Sequence, residues 1–195
     1  EPLLMVPATE KHPTAVLIKA ETSIYIYSVP NFQRLSSLPV TDALIAGTIG
    51  EGRIFVVSKN EVISLNSALS GIEWRAPLNG EARKASLSPD ASHLACLEGE
   101  LIQVYSINGN GKITTVADVG GNGNLTGLWM RNSDSLVALT SYPERAFLTV
   151  TNLNGGPIAQ TMALSGPSVG LLKRGLVHMV DGAIRHFDVQ QMIER

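Results

Sequence analysis

Leu101-Ile102-Gln103-Val104-Tyr105-Ser106-Ile107 is a strand that this chain writes five times. The other versions are Ser23-Ile24-Tyr25-Ile26-Tyr27-Ser28-Val29, Glu61-Val62-Ile63-Ser64-Leu65-Asn66, Phe147-Leu148-Thr149-Val150-Thr151-Asn152-Leu153 and Ala183-Ile184-Arg185-His186-Phe187-Asp188-Val189. Each is a short, largely apolar run rich in β-branched and aromatic residues, which suits a packed strand. Upstream of each lies a second apolar run: Ala15-Val16-Leu17-Ile18, Ile54-Phe55-Val56-Val57, Leu94-Ala95-Cys96-Leu97, Leu136-Val137-Ala138-Leu139 and Leu176-Val177-His178-Met179. The repeated strands begin at positions 23, 61, 101, 147 and 183, close to one every ~40 residues.

The connections carry turn chemistry. Asp181-Gly182 is a two-residue hairpin turn, because Gly tolerates the positive φ such a turn demands; Lys59-Asn60 and Glu98-Gly99 hold comparable places. The fourth repeat differs by inserting Ser141-Tyr142-Pro143-Glu144-Arg145 between its two strands, a longer loop on one face. Asn31-Phe32, Ser70-Gly71, Asn108-Gly109-Asn110-Gly111 and Asn154-Gly155-Gly156 then lead into outer strands such as Arg34–Leu38, Glu73–Ala76, Lys112–Val116 and Ile158–Met162. Leu44-Ile45-Ala46, Ala85-Ser86-Leu87 and Val169-Gly170-Leu171 read as inner strands whose small apolar residues suit a crowded axis.

About four strands per ~40-residue unit is the signature of propeller blades. The expected fold is therefore all-β: a β-propeller of about five four-stranded antiparallel blades, either complete or part of a larger one. It occupies one domain over residues 1–195, with repeats at approximately 1–39, 40–79, 80–119, 120–164 and 165–195. The tail Gln190-Gln191-Met192-Ile193-Glu194-Arg195 offers the fifth blade no convincing fourth strand, leaving an edge unpaired. Leu3-Leu4-Met5-Val6 would close a ring by completing that blade, or the remaining blades would come from more chain or a partner. The second arrangement is the expectation.

Composition sets wider bounds. A hydrophobic content of 44% supports a continuous core, and a net charge of −2 supplies no field to draw nucleic acid. No apolar run approaches the ~18 residues of a membrane span. Cys96 is the single cysteine, set in an apolar run, so it reads as a buried small hydrophobe and no disulfide framework exists. Its solitude favours a reducing, cytoplasmic setting.

One repeat carries a family likeness. Leu87-Ser88-Pro89-Asp90-Ala91-Ser92-His93-Leu94-Ala95, followed by Gly99-Glu100-Leu101-Ile102-Gln103-Val104-Tyr105-Ser106, resembles a WD40 blade, where a Ser-Pro-Asp turn precedes a strand ending in Trp-Asp. Phe187-Asp188, Tyr27-Ser28 and Tyr105-Ser106 stand at that terminal position as degenerate versions. No repeat has Trp-Asp itself and the Gly-His pair is absent, so the likeness does not carry over the Asp-His-Ser/Thr-Trp hydrogen-bond network. Gly71-Ile72-Glu73-Trp74-Arg75 also resembles the Gly-x-x-x-Trp segment of quinoprotein-type blades.

Several constellations suggest chemistry and are outweighed by their context. Gly166-Pro167-Ser168-Val169-Gly170 has the nucleophile-elbow spacing, with Asp181 and His186 downstream in hydrolase order. An elbow needs a strand before the Ser and a helix after it, whereas strands follow here. A turn at Asp181-Gly182 sets His178 opposite Arg185, a poor neighbour for a metal ligand. Gly120-Gly121-Asn122-Gly123-Asn124 has no helix after it to help hold phosphate, and Asn124-Leu125-Thr126 matters only as a glycosylation acceptor in a secreted chain. Glu21, Asp181 and Glu98 read as hairpin-turn carboxylates, with Glu51 and Glu81 in unrelated loops. Aromatics make up only 5%, few for sugar platforms.

No catalytic, cofactor-binding or metal-binding residue is therefore expected, and no cofactor. The WD40 likeness implies a non-enzymatic scaffold that binds other proteins as a subunit or segment of an assembly, including a chain completing the propeller. The alternative is a propeller that binds or transforms a sugar or small metabolite in its central channel.

Overall fold

The computed structural model describes residues 1–49, 53–107, 113–120, 125–142, 145–153, 158–165, 168–172, 175–180, 183–188 and 193–194. Their strands form five four-stranded antiparallel sheets, each consecutive in sequence. The first blade holds β1 (Pro2–Val6), β2 (Ala15–Lys19), β3 (Ile24–Ser28) and β4 (Arg34–Leu38). The second holds β5 (Ala43–Ile49), β6 (Arg53–Ser58), β7 (Glu61–Leu65) and β8 (Ile72–Pro77), and the third β9 (Ala82–Leu87), β10 (His93–Glu98), β11 (Leu101–Ile107) and β12 (Ile113–Gly120). The fourth holds β13 (Leu125–Met130), β14 (Ser135–Ser141), β15 (Arg145–Asn152) and β16 (Ile158–Ser165), and the fifth β17 (Ser168–Leu172), β18 (Gly175–Val180), β19 (Ala183–Asp188) and β20 (Ile193–Glu194). The expected propeller blades are present, the third strand of each falling on a repeated strand read from the sequence and the second on the apolar run upstream of it. No helix among the described residues is long and apolar enough to cross a membrane.

Both middle strands of the second and third blades bury apolar residues on two faces, which explains why their sequences look apolar throughout rather than cleanly alternating. In β6, Ile54 and Val56 pack toward the first blade, while Phe55 and Val57 pack toward the third. Four cores follow from this two-sided burial. Leu17 and Ile26 meet Val56 and Ile63 between blades one and two. Val57 and Val62 meet Leu94, Cys96 and Tyr105 between two and three. Ala95, Ile102 and Val104 meet Leu128, Met130 and Leu136 between three and four. Val137, Leu139 and Leu148 meet Phe187 between four and five. Each fully buried Leu, Ile or Phe contributes about 1.5–3 kcal/mol by leaving water. Polar links run alongside: Leu78 and Ala82 donate their N–H groups to the carbonyls of Asn60 and Lys59, pinning the connection between blades two and three to the β6–β7 turn. The Met130 N–H, in turn, donates to Ser86 Oγ at 2.9 Å.

The structure corrects several details. Leu3–Val6 lies in the first blade, with β1 pairing β2 through Leu4↔Leu17, Met5↔Val16 and Val6↔Ala15, so it does not close a ring on the last blade. The fifth blade does have a fourth strand, but it pairs only Phe187↔Glu194 and Asp188↔Ile193. The β10–β11 turn is Gly99-Glu100 rather than Glu98-Gly99: Glu98 pairs Leu101 inside the ladder, and Gly99 has φ 60°, the left-handed conformation that only glycine enters without a side-chain penalty. The fourth-repeat insertion is narrower than residues 141–145, because Ser141 and Arg145 are strand residues. Asp181-Gly182 and the Asn108–Gly111 and Asn154–Gly156 clusters lie outside the described residues.

Candidate functional site

The inner strands share one irregularity that sequence patterning did not disclose. In the first blade Pro2 pairs Ile18 and Leu4 pairs Leu17, so Leu3 is an extra residue in β1. Leu44, Arg83, Thr126 and Val169 are skipped in the same way, each as the second residue of its inner strand. A bulge re-aims a side chain and increases local twist. Leu3, Leu44, Arg83 and Thr126 all line one cleft of about 930 Å³ framed by β1, β5, β9 and β13, which is the central channel as seen from four blades. The Arg83 guanidinium donates to the Gly99 carbonyl, and Thr126 Oγ1 lies 2.7 Å from Ser141 Oγ. Glu1, Arg83 and Lys84 are the titratable groups on that lining. The cleft can bind, but no pair of carboxylates converges on it among the described residues.

Away from the channel, a part-buried polar contact ties the third blade to the connection that leads into it. Tyr105 donates its hydroxyl to Glu98 Oε1 at 2.5 Å and accepts the Asn79 N–H at 3.1 Å. Burial, then the hydrogen bond to Glu98, pushes the Tyr105 phenol far above its ordinary range, so it stays a neutral donor. Burial and the Glu98 charge push the Cys96 thiol up as well; with no accessible surface it is an inert core residue. Glu98, read from sequence as a turn carboxylate, is thus a structural acceptor.

The Ser-Pro-Asp turn is a closed local clamp. Asp90 Oδ1 accepts from Ser88 Oγ at 2.5 Å and from the Ser92 N–H at 3.1 Å, while Oδ2 accepts from Ser92 Oγ at 2.8 Å. Ser88 Oγ in turn accepts the His93 N–H at 3.0 Å. Partial burial works to raise the Asp90 pKa, but the hydrogen bonds from Ser88 and Ser92 outweigh it and hold the carboxyl below its ordinary value. Ala91 sits at φ 52°, a conformation the clamp enforces.

The sequence candidates fall where ordinary strand roles explain them. Ser168 opens β17, with strand rather than helix after it, and pairs His178 of β18, which pairs Arg185 of β19 in turn. His186 is half-buried on β19 opposite Val177, not beside Ser168, and Asp181 lies outside the described residues. Gly120 ends β12, paired with Leu101, and Leu125-Thr126 open β13; residues 121–124 and Glu51 lie outside the described residues. Glu21 sits in the exposed β2–β3 turn, and Glu81 pairs Lys59 at 3.5 Å on the surface. Among the described residues no group of three His, Cys, Asp or Glu side chains can hold a metal ion.

A different display escaped sequence reading. Phe32, in the β3–β4 turn, is 64% exposed and sits at φ 50°. Ser28 fixes that turn: its carbonyl accepts the Phe32 N–H, and its Oγ accepts the Gln33 N–H at 3.2 Å. The signal available was an aromatic among turn residues, read only as part of a turn cluster.

No protein-family model matches the sequence, and no curated protein does. Solved structures do. Hsv2 of Kluyveromyces lactis aligns with a TM-score of 0.55 and 15% identity, covering 92% of this chain and 57% of that one. Hydrazine synthase of Kuenenia stuttgartiensis aligns with a TM-score of 0.63 and 12% identity, covering 90% of this chain and 61% of that one. At such identities the likeness speaks for fold alone, and this chain spans less than two thirds of either neighbour's length. Five consecutive blades, cores between each successive pair and these propeller neighbours make the chain a β-propeller array, fitting part of a larger ring.

Proposed function

We propose that this chain is a non-enzymatic, WD40-like interaction platform acting as a segment or subunit of a larger cytoplasmic assembly, with other proteins as its partners. The observation that carries the reading is Phe32. An apolar ring held out to solvent in a left-handed backbone position costs stability, which a docking role would justify. Leu35, on the following strand, is also exposed. The first blade, packed on the second through a buried core, gives this turn a firm base, so little ordering entropy is lost when a partner binds.

The test is affinity capture from the native source with wild type and Phe32→Ser. Loss of the same stoichiometric partner from the variant, with its unfolding midpoint unchanged, supports the platform. Identical partner sets for both proteins would reject it.

A second reading is favoured by the bulge residues that frame the cleft. A small metabolite held there would contact Arg83 and Lys84. Saturable thermal stabilisation by an anionic metabolite, lost in Arg83→Ala, would establish that reading, since selective binding to the native state raises stability.

A further inference from the structure

The five inner strands diverge at one pair of positions. The register equates Leu3 and Leu4 of the first blade with Leu44 and Ile45 of the second, Arg83 and Lys84 of the third, Thr126 and Gly127 of the fourth, and Val169 and Gly170 of the fifth. In each pair the first residue is the bulge and the second resumes the ladder. The third blade alone is charged there, and it carries two cations in succession. Leu4 and Ile45 pack against the cores that lead to the next blade. Lys84 pairs Leu97, a member of the core between blades three and four, so it leaves the sheet on the side of the fourth blade.

The fold gives these cations little to do. Lys84 is half-buried, yet it makes no ion pair or hydrogen bond among the described residues. A lysine stem covers apolar neighbours well, but a half-buried ammonium without a counter-charge is unfavourable where Leu or Ile would serve. Arg83 gives one bond to the Gly99 carbonyl and likewise makes no ion pair with a described carboxylate. Glu1, the carboxylate on the cleft lining, is taken by Lys19 at 3.2 Å. Two uncompensated positive charges therefore stand on the cleft wall between Leu44 and Ile45 of the second blade and Leu128 of the fourth.

We propose that Arg83 and Lys84 hold the phosphate of a small organic phosphate ester whose apolar part lies along Leu44, Ile45 and Leu128. This rests on the reading of the cleft as a small-ligand site and supplies the class of ligand. Charge selects the head group: a phosphate monoester carries about −1.5 to −2 near neutral pH, where a carboxylate carries a single charge. The guanidinium offers a planar fork matched to phosphate oxygens, and the ammonium a point charge beside it. The cleft's volume of about 930 Å³ selects the size, falling within the ~300–1,000 Å³ of small-molecule sites, which combine apolar walls with a few polar groups.

Titration of the purified chain with phenyl phosphate, inorganic phosphate, benzoate and benzyl alcohol tests it, read by calorimetry and by the thermal unfolding midpoint. Phenyl phosphate should bind saturably and about tenfold or more tighter than inorganic phosphate, which lacks the apolar part, or benzoate, which has the smaller charge. Benzyl alcohol should not bind. Lys84→Leu installs the kind of residue that the first two blades carry. It should keep or raise the unfolding midpoint while weakening phenyl phosphate about tenfold, a split that a purely structural lysine would not give. Benzoate binding as tightly as phenyl phosphate, and losing affinity in Arg83→Ala, would leave the small-ligand reading standing and overturn the choice of phosphate. Absence of binding by all of these probes would overturn both. Phenyl phosphate affinity unchanged in Lys84→Leu would place the ligand elsewhere and overturn the proposal.

Discussion

Tyr105 and Tyr27 occupy one repeat position with different surroundings. Tyr105 is sealed between blades and hydrogen-bonded at its hydroxyl, whereas Tyr27 is only half-buried and stands outside the first core. Tyr105→Ala should therefore cost about 3 kcal/mol in denaturant unfolding, with the larger part from the cavity it leaves. Tyr105→Phe should cost about 1–2 kcal/mol by stranding Glu98 and the Asn79 N–H. Tyr27→Ala should cost only about 1 kcal/mol, so the equal effect that the repeat alignment suggests is not expected. Asp90 gives a pH signature. Its folded pKa is lowered, so its charged form adds stability at neutral pH, and that stability is lost as pH falls through the ordinary carboxylate value toward the folded one. Asp90→Asn should lower the melting temperature at pH ~7, and its deficit should shrink as the pH falls below the ordinary carboxylate value, as read from melting curves against pH. The Tyr105 position was legible from its recurrence; its partner Glu98 was not, because a carboxylate beside a Gly looks like a turn residue until the ladder assigns it a strand place.

At the scale of the element, the inner strands are governed by close approach. A Cβ on Gly127 would strike the Trp129 ring, with Leu139 Cβ another 3.1 Å away, inside the core shared by blades four and five. A Cβ on Gly47 would meet mainly Leu87 Cδ1 at 2.7 Å, the end of a flexible side chain. Gly127→Ala should cost about 2–3 kcal/mol by thermal or chemical unfolding, and Gly47→Ala less than about 1 kcal/mol because Leu87 can change rotamer. Strand order and hairpin pairing were readable, since apolar runs and turn residues alternate at fixed distances. The bulges were not: Leu3, Leu44, Arg83, Thr126 and Val169 share no chemistry, and what unites them is a backbone step that no residue type encodes. The cleft that the first four line was accordingly anticipated as a channel, without the residues that line it.

Across the whole molecule, stability is passed from blade to blade through nearest-neighbour cores, as in other repeat arrays. Deleting residues 1–8 removes β1, including Val6 of the first core, yet leaves the later interfaces untouched. Hydrogen exchange should quicken in β2–β4 and on the facing strands of the second blade, while β10, β11 and β14 keep their protection; uniform loss would signal a closed ring instead. Period and blade number were visible in the sequence because repetition is a property of order along the chain. The unequal burial of equivalent positions was not: Tyr27 and Ile184 read like Tyr105 and Ile102, yet one is half-buried and the other exposed. Tandem repetition also carries a hazard: strands this alike invite exchange between cousins, or sliding by two residues, during folding. The skipped residue near the start of every inner strand works against sliding, because a strand displaced along its partner would leave the kink facing a straight segment and lose ladder bonds on both sides of it. Five such notches, one per sheet, act as alignment keys that let near-copies sit in series without confusing their frames.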